Sequence, residues 1–108
     1  MRCCSKEYTM YKLLMTWNIR PGYEEEYFEF VIREFGPALM KLGIQPTDAW
    51  YTQYGDYPQI LHGGVTEDLD SMRRILSSEE WRAVKGKLLQ YITDYHQKVI
   101  PASGGFQL

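Results

Sequence analysis

A chain of 108 residues with a formal net charge of −2 is long enough to enclose one hydrophobic core and lacks the concentrated basic surface that nucleic acid requires. No apolar run approaches the roughly 18 residues of a membrane span, and no signal-peptide pattern is visible, so neither nucleic acid nor a membrane is an expected partner. The only cysteines, Cys3 and Cys4, are adjacent and have no metal-ligand spacing around them, which points to a reduced, cytoplasmic protein.

Residues 1–10 lack periodicity and read as a flexible lead-in to a single domain over 11–108. From Tyr11 the pattern alternates: Leu13, Met15, Trp17 and Ile19 share one side with Tyr11, while Lys12, Leu14, Thr16 and Asn18 share the other. Period two with one wholly apolar side predicts a strand over 11–19 that packs on helices through that side. Arg20-Pro21-Gly22 suits a turn, and Glu24, Glu25 and Glu26 place negative charge at the start of a helix over 23–42. Tyr23, Tyr27, Val31, Phe35, Ala38 and Leu42 form its apolar stripe, widened by Phe28 and Leu39. Gly36-Pro37 should kink or break it, because an interior proline removes a hydrogen bond and crowds the preceding turn. Gly43 is the expected C-terminal cap.

The aromatic and β-branched run from Pro46 to Gly55 predicts a second strand over 46–55, and Gly55-Asp56-Tyr57-Pro58 a turn. A third strand over 59–66 completes a hairpin, with Leu61 and Val65 on one face, Ile60 and His62 on the other, and Gly63-Gly64 marking a weak end or a bulge. Asp68 or Asp70 can cap a short helix carrying Met72, Ile75 and Leu76. Ser77-x-x-Glu80 then reads as a capping box opening a longer helix over 78–100, with Trp81, Val84, Leu88, Ile92, Tyr95 and Val99 as its stripe. A last short strand is expected over 105–108.

The resulting order, βαββαβ with an additional short helix, predicts an α+β, ferredoxin-like sandwich in which an antiparallel sheet carries both long helices on one face. The other face, with Leu14, Ile60 and Trp50 or Tyr51, would then be uncovered and partly apolar. A homodimer with the two sheets facing each other is the expected remedy. The segments TWNIRPGYEEEYFEF, SSEEW and the VIP…GGFQL tail resemble the dimeric α/β-barrel superfamily over about 11–108. That superfamily includes stress-responsive barrel proteins, NIPSNAP-like proteins, muconolactone isomerase-like enzymes and antibiotic-biosynthesis monooxygenase-like proteins. The resemblance implies a shared barrel between two subunits, with a ligand cleft inside it or between sheet and helices. The second helical region lacks the histidine that the monooxygenase-like members often carry.

Few residues offer chemistry. His62 reads either as a general base or ligand contact on the sheet, or as a structural histidine bonded across strands. Thr16 and Asn18 could hold a substrate carbonyl or pair with neighbouring strands. Trp50 and Tyr51 lie on opposite faces of their strand, one of them a candidate ligand wall. His96 falls at a surface or rim position. The two histidines have no metal-binding spacing, and no phosphate loop, dinucleotide fingerprint or nucleophile elbow is present, so no metal or cofactor is expected. Two functions fit: a small hydrophobic-molecule-binding, accessory protein of the stress-responsive type, or a cofactor-independent monooxygenase or isomerase acting on an aromatic or polyketide-like substrate with His62 as base. The expected site is one cleft with His62, Asn18 and Trp50 or Tyr51 at its wall, and Thr16 beside Asn18.

Overall fold

The alternation along Tyr11–Ile19 fixes the centre of the molecule. In the computed structural model, which describes residues 10–52 and 58–102, this strand (β1) buries Leu13, Met15, Trp17 and Ile19 almost completely on one side. It is flanked by β3 (Ile60–Thr66) and β4 (Ile92–Pro101), and β2 (Gln45–Tyr51) pairs with the far edge of β3. The order is β2-β3-β1-β4 and every neighbouring pair is antiparallel. The described helices pack on the Trp17 side, giving the two-layer α+β, ferredoxin-like fold expected of this element order.

The first helical stretch runs from α1 (Glu24–Phe30) through one π-helical turn (Val31–Phe35) into α2 (Gly36–Leu42) without leaving helical backbone angles. The interruption at Gly36-Pro37 is therefore a widened turn, in which the Gly36 N–H donates five residues back to Val31. Such a turn absorbs a proline that has no N–H to give. It also brings Phe35 fully inward, alongside Tyr27, Phe30 and Leu39, whereas Tyr23 and Phe28 of the expected stripe stay substantially exposed. Gly43 closes α2 in a left-handed conformation, φ 106°, as a helix C-terminus of this kind favours.

β2 ends at Tyr51, short of the expected residue 55, and the turn centred on 55–57 lies outside the described residues. The β2–β3 register shifts between Pro46 and Asp48, so Thr47 is the extra residue of a bulge. The glycine pair faces it. A Cβ on Gly64 would collide with the Ile44 side chain, and one on Gly63 would lie 2.7 Å from Asp48 Oδ2. Two helices follow, α3 (Leu69–Leu76) and α4 (Glu79–Leu88). Asp68 caps α3 by accepting from the Ser71 N–H at 2.8 Å. The cap of α4 is Ser78, accepting from Trp81 N–H at 3.1 Å, and not Ser77, whose hydroxyl donates back to the Arg73 carbonyl.

The expected helix over 78–100 is the main correction. It stops at Leu88, and Ile92–Pro101 is the fourth strand; the segment 105–108, expected to supply that strand, lies outside the described residues, as does 1–9. Arg20 fixes the change of direction, its guanidinium donating to the carbonyls of Gln90 and Ile92 at 3.2 and 3.3 Å. The β1–β4 ladder then slips between Thr16 and Asn18, where Asp94 and Tyr95 together oppose Trp17. Asp94 takes φ 57°, a left-handed angle that Asp tolerates better than most residues. This bulge puts Ile92 and Tyr95, three residues apart, on the same face of the sheet. The spacing therefore imitates a helical stripe.

Candidate functional site

Antiparallel partners share a face, so the registers sort every candidate residue. His62 opposes Met15 and Ala49, and Ile60 opposes Trp17 and Tyr51, which places His62 and Tyr51 on the helix side of the sheet. Thr16 opposes Leu61 and His96, and Leu61 opposes Trp50, which places these four on the open side. The expected single cleft is thus divided by the sheet itself: His62 and Tyr51 lie behind it, Thr16, Asn18 and Trp50 in front. Ile60, expected on the open face, is buried in the core.

On the helix side an aromatic layer crosses three strands. The Trp17 ring stacks on His62 at 5.3 Å between centroids and on Tyr95 at 5.9 Å, with interplanar angles of 17° and 10°. Phe35 meets both Trp17 and His62 edge-on at 5.9 Å. The indole N–H donates to the Tyr27 hydroxyl at 3.0 Å. Burial pushes that phenol up to about 12 and raises Tyr95 as well, keeping both protonated. The ammonium of Lys85 sits 4.7 Å from the centre of the Tyr95 ring, and the Tyr95 hydroxyl donates to Gln97 Oε1 at 2.6 Å. Burial holds the His62 imidazole below the ordinary histidine range, so it is neutral at pH 7. Tyr51 stands at the edge of this layer, 6.1 Å from Phe28.

On the open side Asn18 is a clasp: its amide donates to Asp94 Oδ2 at 3.1 Å and its carbonyl accepts from the Gln59 N–H at 2.9 Å. Lys12 and Asp48 form an ion pair of 2.7 Å across the face, and the lysine holds the Asp48 carboxyl below its usual range. Between these features lies a hollow of about 420 Å³, lined by Leu14, Thr16, Leu61, His96, Gln97 and Lys98. Trp50 stands beside Leu61 with 68% of its surface exposed. A second hollow, about 350 Å³, lies at the other end of β3 among Met10, Met40, Ile44 and Val65. The Thr66 hydroxyl there is already committed to the Asp68 carbonyl at 2.8 Å.

His96 and Lys98 were missed as site residues because the sequence places them on a helix. Thr93, Tyr95, Val99 and Ile100, all strand formers, were the available signal. Among the described residues no cluster of three potential metal ligands occurs, and no described helix is long and apolar enough to cross a membrane.

No protein-family model and no curated protein sequence matches the chain. Solved structures do. An uncharacterised NIPSNAP-like domain protein from Burkholderia xenovorans superposes with a TM-score of 0.66 at 22% identity, covering 89% of this chain and 88% of that one. An antibiotic-biosynthesis-monooxygenase-like protein from Nitrosomonas europaea gives 0.65 at 8% identity, with 88% and 91% coverage. The chain shares the ferredoxin-like fold of these structures. A dimeric protein of unknown function with a ferredoxin-like fold, from Bacteroides fragilis, gives 0.60 at 16% identity, with 86% and 96% coverage. The agreement runs over nearly the full length of each chain. At such identities it carries the βαββαβ framework and leaves the chemistry to the side chains, since this framework hosts unrelated functions.

Proposed function

We propose that two copies pair through their open sheet faces as a dimeric α/β barrel, and that the chamber between them holds a small hydrophobic molecule. In this reading the protein is a small cytoplasmic binding protein of the accessory, stress-responsive type. The observation that carries it is the hollow of about 420 Å³ on a sheet face that no described helix covers. That volume falls within the roughly 300–1,000 Å³ of ordinary ligand sites. Leu14 and Leu61 supply its apolar wall, Thr16 a hydroxyl, and Trp50 an exposed ring that a facing copy would shelter. Asn18 borders the chamber and contributes chiefly by holding β3 and β4 in place. The dimeric state of the Bacteroides neighbour supports the pairing.

Sedimentation at micromolar concentration is expected to give a dimer, and native mass spectrometry of gently purified protein an apolar small molecule retained by it. A monomer throughout that range would overturn the pairing.

A second reading keeps His62 as the base of a cofactor-independent monooxygenase or isomerase acting on an aromatic or polyketide-like substrate. The observation favouring it is a neutral imidazole packed on the face of Trp17 and against the edge of Phe35, an aromatic surround suited to a flat ring. Tyr51 would border such a substrate. The two readings part on His62→Ala. As a base, His62 is required for turnover. As a packing residue on the far side of the sheet, its removal leaves sheet-face binding unchanged and only lowers the melting temperature.

A pH profile follows from the same residue. Because burial depresses the folded-state pKa, the unfolded chain takes up the proton first. The stability contribution of neutral His62 is therefore complete above the ordinary histidine value near 6.5 and is lost as pH falls through the folded pKa. His62→Gln should flatten that acid limb in thermal melts. An unchanged limb would show that other groups set it.

A further inference from the structure

Resting on the sheet-face reading, we propose that the ligand of the open face is an apolar monocarboxylate, its anionic head held by Lys98, His96 and Thr16 on the β4 side and its body laid over Leu14 and Leu61 toward Trp50. The face is graded in this sense. Trp50, Leu61, Thr16 and His96 form one row across β2, β3, β1 and β4, running from an indole to an imidazole. Lys98 opposes Leu14 in the neighbouring row, on the same edge as His96. All of these except Trp50 line the hollow.

The charges on this face are unequally paired. Lys12 is matched by Asp48 at 2.7 Å, with both side chains mostly sheltered. Asp94, at the far end, is bonded to the Asn18 amide. Lys98 has no carboxylate within salt-bridge distance among the described residues. Among the described residues Lys98 is thus an ammonium without a carboxylate partner at the edge of an apolar hollow. Enclosing that ammonium between two sheets without a counter-charge would be unfavourable, because a buried charge needs a partner. A carboxylate supplies one and brings acceptors for the Thr16 hydroxyl and a His96 N–H, which donates from either neutral tautomer.

Geometry sets the length. Strands stand about 4.8 Å apart, so a head at β4 and a tail over β3 span about 10 Å, and a tail reaching β2 spans about 14 Å. An alkyl chain of about eight to ten carbons, or an aryl group on a short arm, has that reach within the 420 Å³ hollow.

The test is calorimetric titration of the full-length protein at pH 7.5 with decanoate and with decanol, both below their aggregation limits. Decanoate is expected to bind at least tenfold more tightly than decanol. Lys98→Gln should remove most of that margin while leaving decanol affinity unchanged; Lys98 is exposed, so folding should survive, as circular dichroism would confirm. Equal affinities for the two ligands would overturn the carboxylate proposal and leave the hydrophobic chamber standing. A margin that persists in Lys98→Gln would overturn the assignment of the head group to this edge. Binding of neither ligand would overturn the chamber and the carboxylate together.

Discussion

Replacing Trp17 by Ala should lower the melting temperature by about 15–30 °C, measured at a fixed protomer concentration. The indole is fully buried at the centre of β1 and touches rings from every layer around it: His62 and Tyr95 on its flanks, Phe35 on its edge, and Tyr27 through the indole N–H. Large-to-small changes at such sites cost about 3–5 kcal/mol, since the lost transfer energy is joined by a cavity that rigid neighbours do not close. That is a large part of the roughly 5–15 kcal/mol available to a domain of this size. Trp17→Phe separates the two contributions. It retains most of the apolar body and removes only the N–H, leaving the Tyr27 hydroxyl to find another partner at about 1–2 kcal/mol. If Trp17→Ala melted within about 5 °C of the parent, the stacked layer would not be the keystone of the core.

Much of the framework is legible in the residues themselves. Strict alternation over Tyr11–Ile19, glutamates after Pro21-Gly22, and Gly43 after a helical stripe each carry a local physical reason, and each forms where expected. The fourth strand is different. Its apolar positions at 92, 95 and 99 satisfy a helical period as well as they satisfy a bulged strand, because Asp94 inserts one residue and resets the alternation. Periodicity alone does not separate these cases. The preference of Thr93, Tyr95, Val99 and Ile100 for extended backbone would have weighed toward the strand.

The divided site has a similar origin. On β3 the sequence ILHGGVT offers Leu61 and Val65 to one face and Ile60 to the other, and the two glycines leave no side chain to show which face is core. The sign of the alternation is set only by pairing with β1, where Trp17 meets Ile60 and Thr16 meets Leu61. Sequence order identifies the polar candidates Thr16, Asn18 and His62 but not the sheet between them. The misassigned fourth strand had a further effect: it took His96 and Lys98 away from the open face, and with them its polar edge.

Leu61→Lys should convert the proposed dimer to a monomer at micromolar concentration without unfolding it. Leu61 stands between Thr16 and Trp50 on the open face, with its side chain in the hollow and away from the helix-side core. In a two-fold interface every substitution occurs twice, so each sheet would present a new ammonium to its partner. Placing an unpaired charge in a desolvated contact costs about 3–5 kcal/mol. Lys98 and His96 already stand on that face, and Asp48, the carboxylate near Leu61, is already paired with Lys12 at 2.7 Å. Two such penalties weaken association by more than about a thousandfold, since each tenfold corresponds to about 1.4 kcal/mol. Leu61→Met, nearly equal in volume and uncharged, should leave the dimer intact. Sedimentation velocity gives the oligomeric state of each variant, and far-ultraviolet circular dichroism shows whether the Leu61→Lys monomer keeps its fold. The monomer should melt lower than the parent, because a partner that binds only the folded state contributes to its stability. A Leu61→Lys protein that sediments as a dimer would place the interface elsewhere, on the helices or along an edge strand, and would leave the open face to the ligand alone.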